Sequence, residues 1–338
     1  MDMKLCIVSG PGQTSVIDVP KPQAGPRDVL LAVRACGICG SDAMYISIGG
    51  LPGLEGRTPL GHEPAGEVVE VGSDVEGIAV GDHVVVNPMA APSGIIGSGG
   101  ASGGFADYLL IENAVLGTSV AIVPKHIPFE VAALNEPMAV ARHAVNRSGV
   151  EAGDKVVVFG AGPIGLGATI GFTSLGASVV VVDVIPSRLE KALRVGAIGV
   201  IDSANEDVAA RLIELHGAAP TRRGEAKSQT DIYLDAAGVG AVVDAALASA
   251  KHGATLAVVA VHKRPVTIDF GQILGSELDI VFSMGYPTEI FEVTQDLIEN
   301  WEKYAVIISD RFPFSEVQDA LAAAATPGRA DKVMVTFG

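Results

Sequence analysis

The sequence is poor in cysteine and in basic residues. Its three cysteines, Cys6, Cys36 and Cys39, are too few to hold a chain of 338 residues in a disulfide framework. The N-terminal segment includes Asp2 and Lys4 and has no long apolar core, so it is not predicted to be a secretory signal peptide. Cys39 is interpreted below as a metal-binding thiolate, which has to stay reduced. The expected location is therefore the cytoplasm.

The shortage of basic residues restricts the possible partners. Lysine and arginine together number 23 against 39 aspartates and glutamates, and the formal net charge is -16. Nucleic acids and anionic membrane surfaces bind to basic patches. Neither is therefore expected as a partner.

One long stretch, 156–182, contains no charged residue and is long enough on paper to span a bilayer. It holds six glycines, however, and it ends next to Asp183. This pattern indicates a strand, a tight turn, a helix and a second strand rather than one membrane helix.

The chain is long enough for two domains, because single cores stop growing at roughly 250 to 300 residues. The first part contains segments rich in β-branched residues and bounded by glycine or proline, which predict strands. Beyond Gly153 the predicted strands alternate with helices, a pattern typical of a doubly wound parallel sheet. The predicted strands are 30–35, 67–71, 81–86, 105–111, 155–159, 178–182, 199–202, 232–235, 255–261 and 278–283, and the predicted helices of the alternating part are 163–175, 187–195, 206–216 and 239–251.

The C-terminal part is predicted to return to the first domain. Apolar residues at helical spacing predict an amphipathic helix over 287–301, and Ser315 is the expected N-cap of a helix over 317–325 that precedes a last strand, 332–337. The predicted domains are therefore 1–150 with 285–338, and 151–284. The segment 218–230 is expected to be an exposed loop.

Two short segments near the start of the chain carry side chains that bind metals. The first, 37–42, contains Cys39, and the second, 61–63, contains His62 and Glu63. A thiolate, an imidazole and a carboxylate suit a borderline-soft divalent ion, and fewer than four firm ligands leave a position open for a substrate. Cys39 alone would be interpreted as a small buried hydrophobe, but together with the other two residues it is predicted to be a ligand of a catalytic zinc.

The carboxylates near these segments have several possible roles. Asp42 is the candidate to accept a hydrogen bond from the ring nitrogen of His62 that does not bind the metal. Glu63 and Glu136 are candidates to bind the metal, either directly or through water. Alternatively, Glu63 pairs with a nearby cation, and Glu136 caps a helix that begins at Pro137.

A glycine-rich segment later in the chain predicts a dinucleotide site. Gly160, Gly162 and Gly165 follow the predicted strand 155–159 and open a helix, and Asp183 ends the next strand. In this context Gly160 permits the tight turn, Gly162 lets the backbone approach a pyrophosphate at the helix N-terminus, and Gly165 lets the helix pack on its strand. Asp183 would bind the adenosine ribose diol and repel a 2′-phosphate, which favours NAD over NADP. The alternative is an ordinary βαβ turn without a nucleotide.

In their order and spacing, these segments and the Asn-Glu-Pro sequence at 135–137 resemble the zinc-dependent medium-chain alcohol and polyol dehydrogenases over nearly the whole chain. The sorbitol and 2,3-butanediol dehydrogenase branch is the most similar, because it shares the Glu-Pro and His-Ala pattern of 136–144. The resemblance implies an α/β fold, with a Rossmann dinucleotide-binding domain and a mainly β, GroES-like catalytic domain.

The resemblance also implies the cofactors and their contacts. It implies one catalytic zinc and NAD. A basic residue such as Arg188 borders the adenosine ribose in this branch, although it is equally well a solvated helix charge. The implied metal ligands are Cys39, His62, Glu63 and Glu136, and the implied cofactor contacts are Gly160, Gly162, Pro163, Ile164, Gly165, Asp183, Arg188 and Val261.

The implied chemistry is hydride transfer between an alcohol and the nicotinamide. Zinc acts as a Lewis acid toward the alcohol oxygen, and Ser41 is placed to take the hydroxyl proton. Many relatives continue this relay through a histidine at the position of Met44, so here the proton leaves by the cofactor ribose, by water or by a group such as Tyr45.

Two further features depart from a two-zinc dehydrogenase. The loop 88–104, where many relatives carry four cysteines for a structural zinc, has none, so one metal per subunit is predicted at most. Cys36 forms a Cys-x-x-Cys pair with Cys39, but no second pair exists, and Cys36 is interpreted as a buried thiol.

The predicted substrate is a secondary alcohol or its ketone. The resemblance implies a diol-like, polyol-like or other secondary alcohol. The residues expected near the pocket are mostly apolar, which disfavours a highly hydroxylated sugar; they are Met44, Tyr45, Ile46, Leu51 and Leu54. A homodimer or homotetramer is expected from the family. The alternatives are a zinc-free, quinone-reductase-like reductase and a non-catalytic nucleotide-binding protein.

Overall fold

The computed structural model describes residues 2–220 and 226–338. The chain divides into two compact units. The first unit contains Met1–Pro137 and Ile290–Gly338, and the second contains Met138–Glu289.

The first unit begins with strands that are connected by turns, longer loops and one helix. A single-turn helix, α2, and the longer helix α3 follow the last of these strands, and α3 continues into the second unit. The elements are β1 (Asp2–Gly10), β2 (Gln13–Pro20), β3 (Val29–Gly37), α1 (Gly40–Ile48), β4 (Thr58–Pro59), β5 (Glu63–Val71), β6 (His83–Val86), β7 (Tyr108–Ile111), β8 (Val120–Val123), α2 (Phe129–Ala132) and α3 (Asn135–Arg147), with a 3₁₀ helix at Pro88–Ala90.

The second unit alternates strands with helices. Its central strands are runs of valine that are buried along nearly their whole length, as is usual for parallel strands covered on both faces. The elements are β9 (Lys155–Phe159), α4 (Pro163–Ser174), β10 (Ser178–Asp183), α5 (Pro186–Arg194), β11 (Gly199–Asp202), α6 (Val208–His216), β12 (Ala218–Ala219), β13 (Lys227–Ser228), β14 (Ile232–Asp235), α7 (Gly240–Ser249), β15 (Thr255–Val258), α8 (Phe270–Ile273) and β16 (Asp279–Phe282), with a 3₁₀ helix at Leu274–Ser276.

The chain then returns to complete the first unit. Helix α9 buries Val293, Leu297 and Tyr304, which follow one another at helical spacing. The remaining elements are α9 (Glu292–Ala305), β17 (Asp310–Pro313), α10 (Val317–Ala325) and β18 (Val333–Thr336), with a 3₁₀ helix at Phe314–Glu316.

The first unit is built on a seven-stranded sheet in the order β17-β18-β3-β5-β6-β8, with β7 also paired to β3. Strand β3 is antiparallel to β5, to β7 and to the C-terminal strand β18. A smaller sheet has the order β2-β1-β4. The core contains buried residues from most of these strands, among them Val8, Leu31, Val68 and Val84, together with Phe105 from the loop before β7.

The second unit contains a six-stranded parallel sheet in the order β11-β10-β9-β14-β15-β16. The chain proceeds from β9 outward to β10 and β11 and then crosses to β14 on the other side of β9. The strand order therefore reverses at β9, and ligands of such sheets bind beyond the carboxyl ends of the strands at this point.

The predicted fold class is confirmed, and the uncharged run 156–182 forms a strand, a turn, a helix and a second strand, as predicted. The predicted domain boundaries at 150 and 285 do not coincide with the observed divisions. Most of α3 packs with the second unit, where a Cβ atom on Gly167 would touch Met138 and Ala141. The start of α3 belongs to the first unit.

Three local predictions are corrected. Ser315 is not an N-cap, because it lies inside the 3₁₀ turn that leads into α10. The strand predicted over 255–261 ends at Val258, because the next two backbone amides turn toward Asp235. The segment 218–230 contains the β12–β13 pair and buried residues rather than forming an exposed loop, while Arg222 and Arg223 lie outside the described residues.

Candidate metal centre and nucleotide cleft

The register of three strands brings the predicted metal-binding residues together. Gly37 at the end of β3 lies opposite Glu63 at the start of β5 and opposite Met334 on β18. The chain beyond Gly37 leads to Cys39, and the chain before Glu63 leads from His62. Gly37 is required here, because a Cβ atom at this position would lie 1.8 Å from Oε2 of Glu63.

The ligand atoms of Cys39, His62 and Glu63 lie within 4.8 Å of one another. Among the described residues, this is the one group of three or more Cys, His, Asp or Glu side chains at such distances. His62 and Glu63 are buried, and Cys39 is half-buried at the N-terminus of α1. Oε1 of Glu63 is buried without a hydrogen-bond partner, which suits an atom that binds a metal. The sulfur, nitrogen and oxygen donors are those of a zinc site.

The two ring nitrogens of His62 face a carboxylate and a hydroxyl group. Nδ1 lies 3.7 Å from Oδ1 of the fully buried Asp42, whose Oδ2 accepts a hydrogen bond from the backbone N–H of Cys39. Nε2 lies 3.5 Å from Oγ of Ser41. Burial by itself lowers the pKa of His62, but Asp42, Cys39 and Glu136 together raise it well above its ordinary value. A bound metal ion would take the place of that proton.

Lys332 is a site residue that the sequence did not reveal. It is 3% exposed, donates a hydrogen bond to the carbonyl of Ile38 at 3.0 Å, and forms a short ion pair with Oε2 of Glu63. Burial lowers its pKa, but Glu63 and Cys39 outweigh burial and raise the pKa of Lys332. The ion pair leaves Oε1 of Glu63 free for a metal. No sequence motif marks Lys332, and only the need of a buried carboxylate for a counter-charge would have suggested it.

Glu136 lies in the first turn of α3 and is buried. Its carboxylate does not join the three-residue group at 4.8 Å, although its charge acts on both His62 and Lys332. The structure therefore places Glu136 around the metal centre but not among its closest donors.

Among the described residues, Cys39 is the only thiol in the three-residue group. Cys36 is completely buried, as predicted, and burial raises its pKa well above its ordinary value. Tyr45, one of the possible proton relays, is buried and its hydroxyl lies 2.6 Å from Oγ of Ser98 in the loop 88–104. Met44 is half exposed.

The glycine-rich turn of the second unit has the geometry that a pyrophosphate needs. Gly160 has φ of +97°, and a Cβ atom on Gly165 would lie 1.8 Å from the carbonyl oxygen of Gly160, so both positions require glycine. Gly162 precedes α4, which begins at Pro163 and continues through Ile164, and no atom lies within 4 Å of its Cβ position. The helix N-terminus is therefore open to a ligand.

Asp183 ends β10 beside this turn and is 9% exposed. Its Oδ2 accepts a hydrogen bond from the backbone N–H of Ala161 at 2.7 Å, and its Oδ1 accepts bonds from Val184 at 2.7 Å and Ile185 at 2.9 Å. Oδ2 thus keeps one lone pair for a ligand hydroxyl. The sequence did not predict this backbone role of Asp183.

A cleft of about 640 Å³ lies at these strand ends. Gly160, Gly162, Asp183 and Arg188 line it. Apolar residues of the segments 182–185 and 236–245 complete its walls. Val261 is 77% exposed and is not among the side chains that line the cleft.

A sulfur, nitrogen and oxygen donor set in one unit and a dinucleotide-type cleft in the other define a class of protein, the metal- and nucleotide-dependent oxidoreductases. The family models agree with this class. Residues 25–121 match the alcohol dehydrogenase GroES-like domain, and residues 163–300 match the zinc-binding dehydrogenase domain.

Known proteins define the family more closely. The (R,R)-butanediol dehydrogenase of Bacillus subtilis (strain 168) is 32% identical over 83% of this chain and 84% of its own length. The sorbitol dehydrogenase of Bos taurus is 30% identical over 93% of this chain and 90% of its own. A protein assigned as a zinc-binding dehydrogenase from Sinorhizobium meliloti 1021, solved with NADP, is 29% identical with a TM-score of 0.82 over 99% of both chains.

The chain therefore belongs to the zinc-dependent medium-chain alcohol and polyol dehydrogenase family, and it is a zinc-dependent oxidoreductase that uses a nicotinamide cofactor. Its substrates are small molecules. Within the part of the chain that the structure describes, no helix combines the length and the apolar character needed to cross a bilayer.

Proposed function

We propose that the enzyme oxidises secondary alcohols, diol-like, polyol-like or apolar, with NAD⁺ and reduces the corresponding ketones with NADH. The observation that carries this proposal is the group of Cys39, His62 and Glu63, with Oε1 of Glu63 buried and without a partner. Bound zinc supplies a Lewis acid that lowers the pKa of a substrate hydroxyl, and bound NAD⁺ accepts hydride.

The side chains of the first unit hold the metal and move a proton. Cys39, His62 and Glu63 are the proposed ligands, and Glu136 is proposed to bind the metal or a water next to it. Asp42, whose Oδ1 lies 3.7 Å from Nδ1 of His62, is proposed to orient the ring when the metal is bound.

Ser41 is proposed to accept the proton of the substrate hydroxyl. A Ser41→Ala variant should keep its zinc and its affinity for NADH but lose most of its turnover, because an alanine cannot pass a proton on. Turnover equal to that of the parent across the pH range would contradict this role.

The preference for NAD over NADP rests on Asp183. Its Oδ2 lies in the cleft with one lone pair left for a ribose hydroxyl, and the carboxylate would repel a 2′-phosphate. Arg188 in the same cleft favours a phosphate, and the Sinorhizobium meliloti protein was solved with NADP. Steady-state kinetics with NAD⁺ and NADP⁺ side by side should give the higher kcat/KM for NAD⁺.

We propose one zinc per subunit, because the loop 88–104 has no cysteine for a second. Metal analysis by mass spectrometry should give one zinc per chain. Exhaustive chelation should abolish activity and zinc should restore it, whereas a zinc-free reductase would remain active.

A panel of secondary alcohols, vicinal diols and polyols, followed by NADH formation at 340 nm, tests the substrate class. The positions around α1 that are proposed to face the substrate, Met44, Ile46, Leu51 and Leu54, favour substrates with few hydroxyl groups. A protein that binds NADH but oxidises nothing in the panel would support the non-catalytic alternative.

A homodimer or homotetramer is proposed. Strand β16 forms one edge of the described parallel sheet, and Phe282 and Met284 beside it are 69% and 85% exposed. An unpaired edge with exposed apolar side chains favours association with another chain. Light scattering on a sizing column measures the oligomeric state.

A reducing compartment, the cytoplasm, is proposed because all three thiols are free.

A further inference from the structure

Two loops of the second unit meet on one buried carboxylate. Asp235 ends β14 and is completely buried, and its Oδ1 accepts hydrogen bonds from the backbone N–H groups of Ala237 at 2.9 Å and Gly238 at 2.8 Å. Its backbone carbonyl accepts hydrogen bonds from Val259 and Ala260, both at 3.1 Å. These hydrogen bonds join the segment that follows β15 to the end of β14.

His262 occupies the remaining oxygen of this carboxylate. Its Nε2 lies 2.7 Å from Oδ2 of Asp235, and its side chain is only 19% exposed. Among the described residues, no other hydrogen-bond donor reaches Oδ2. Without His262, that oxygen would be a buried acceptor with no partner, which costs more than an ordinary lost hydrogen bond.

The turn 236–239, which these hydrogen bonds hold, forms one wall of the nucleotide cleft. Ala236, Ala237 and Val239 line the cleft, and the carbonyl oxygen of Ala236 lies 3.0 Å from the Cβ position of Gly160 in the glycine-rich turn. Gly238 has φ of +70°, a conformation that other residues adopt only with strain. The shape of this wall therefore depends on the bonds that Asp235 makes.

We propose that His262 is a positioning residue for the nicotinamide cofactor. It acts through Asp235 by holding the turn 236–239 in the conformation that lines the cleft. The role rests on a dinucleotide occupying this cleft, but not on the choice between NAD and NADP, which is made at Asp183.

The size of the effect follows from the population of the binding-competent turn. If the turn holds its conformation in only about one tenth of the molecules once the donor is lost, the apparent Kd rises about tenfold. The metal centre has no part in this effect, so zinc content should not change.

The test compares His262→Gln with His262→Met. The two side chains have similar size, but only glutamine keeps an N–H group that can donate to Asp235. NADH and NADPH are titrated by fluorescence, and KM is measured separately for the oxidised cofactor and for the alcohol. His252→Ala is the control, because His252 is exposed and its nearest carboxylate, that of Glu277, lies 3.5 Å away.

The expected result is a Kd for the dinucleotide about tenfold higher in His262→Met, within about twofold of the parent in His262→Gln, and unchanged in His252→Ala. The KM for the cofactor should rise while the KM for the alcohol and the zinc content stay constant. His262→Ala replaces His262→Met if the latter does not fold.

Two results would overturn the role of His262 alone: an unchanged Kd in His262→Met, or an equal loss in the Gln and Met variants with a parallel loss of thermal stability. A parent protein that binds neither NADH nor NADPH would overturn the cofactor assignment, and this role with it. The two failures are therefore distinguishable.

Discussion

At the scale of single residues, the metal centre depends on a balance of buried charges. Glu63 places a carboxylate in the interior of the first unit, and Lys332 is the buried cation that offsets its charge. Replacing one partner of such a buried ion pair lowers the free energy of unfolding more than replacing both, because the remaining charge has neither water nor a counter-ion.

Replacing Lys332 by methionine should therefore destabilise the metal-free protein by about 3 to 5 kcal/mol, the usual cost of an orphaned buried charge. Lys332→Arg, which keeps the cation, should lose less. Adding Glu63→Gln to Lys332→Met should recover part of the loss, because no charge is then left unpaired. Denaturant unfolding in the presence of a chelator measures all four proteins. Equal stability of Lys332→Met and the double variant would contradict the pairing.

His216 makes the stability of the protein depend on pH. His216 at the end of α6 is 3% exposed, and its Nδ1 lies 2.8 Å from Oγ1 of Thr230. Burial lowers its pKa to about 4, and the positive charge of Lys155 adds to this effect. The pKa of an unfolded histidine is about 6.5, so the folded state binds fewer protons and stability is lost as the pH falls.

We expect the loss to begin below pH of about 6.5 and to reach roughly 3 kcal/mol near the folded pKa. A His216→Gln variant cannot titrate in this range. Urea unfolding of parent and variant between neutral pH and about pH 4.5 should show the parent losing more stability than the variant. Parallel curves would show that His216 is not responsible.

At the scale of elements, the turn before β5 is held by close contacts with the segment around Phe105. Gly61 has φ of +88°, and a Cβ atom there would lie 2.6 Å from the backbone nitrogen of Phe105. The backbone N–H of Gly104 donates to the carbonyl of Gly61 at 2.6 Å. The end of the loop 88–104 thus packs directly on the turn that carries His62.

Gly61→Ala should therefore cost several kcal/mol and weaken zinc binding, because the backbone near Phe105 has to move. Gly117→Ala is the matched control. Gly117 has a similar φ of +77°, but no atom lies within 4 Å of its Cβ position, so only backbone strain of about 1 to 2 kcal/mol is expected. Unfolding free energies and competition with a chelating dye measure both effects. Equal losses in the two variants would show that the contact with Phe105 is unimportant.

Elements with strong local patterns could be predicted from the sequence. The valine runs of β9 and β10, with a glycine-rich turn between them, have few alternatives to buried parallel strands. Strand β2 was missed because buried and exposed residues do not alternate along it: five of its eight residues are exposed, including Val16 and Ile17. Helix α1 was missed because the segment after Cys39 has no clear amphipathic period.

The candidate site was predictable only where the family motif extends. Cys39, His62 and Glu63 lie in short motifs, and the structure brings them together. Lys332 lies 269 positions from its partner Glu63, and the pairing depends on the register of β18 with β3, which no local pattern specifies. His262 carries no motif, and its role depends on the turn at the end of β14.

At the scale of the whole molecule, the chain leaves the first unit after Pro137 and returns at Ile290. Each unit has its own core and its own candidate ligand site. Zinc should therefore stabilise the first unit, and the adenosine end of the cofactor should stabilise the second. A ligand stabilises the unit that binds it by mass action.

Hydrogen exchange followed by mass spectrometry measures this division. Restoring zinc to chelated protein should slow exchange around Cys39, His62 and Glu63, where the backbone is tied to the ligands. ADP-ribose, which lacks the nicotinamide, should slow exchange around Gly162 and Asp183. Protection near Gly162 by zinc alone would contradict the assignment of the metal to the first unit.

The position of β18 beside β3 makes the candidate metal centre depend on segments that are far apart in the sequence. The proposed ligands Cys39, His62 and Glu63 lie at or before the start of β5, whereas Lys332, the cation paired with Glu63, lies just before β18. A variant truncated before Lys332 would keep these three residues but leave the buried carboxylate of Glu63 without a counter-charge. We expect such a variant to retain every proposed ligand and still fold poorly.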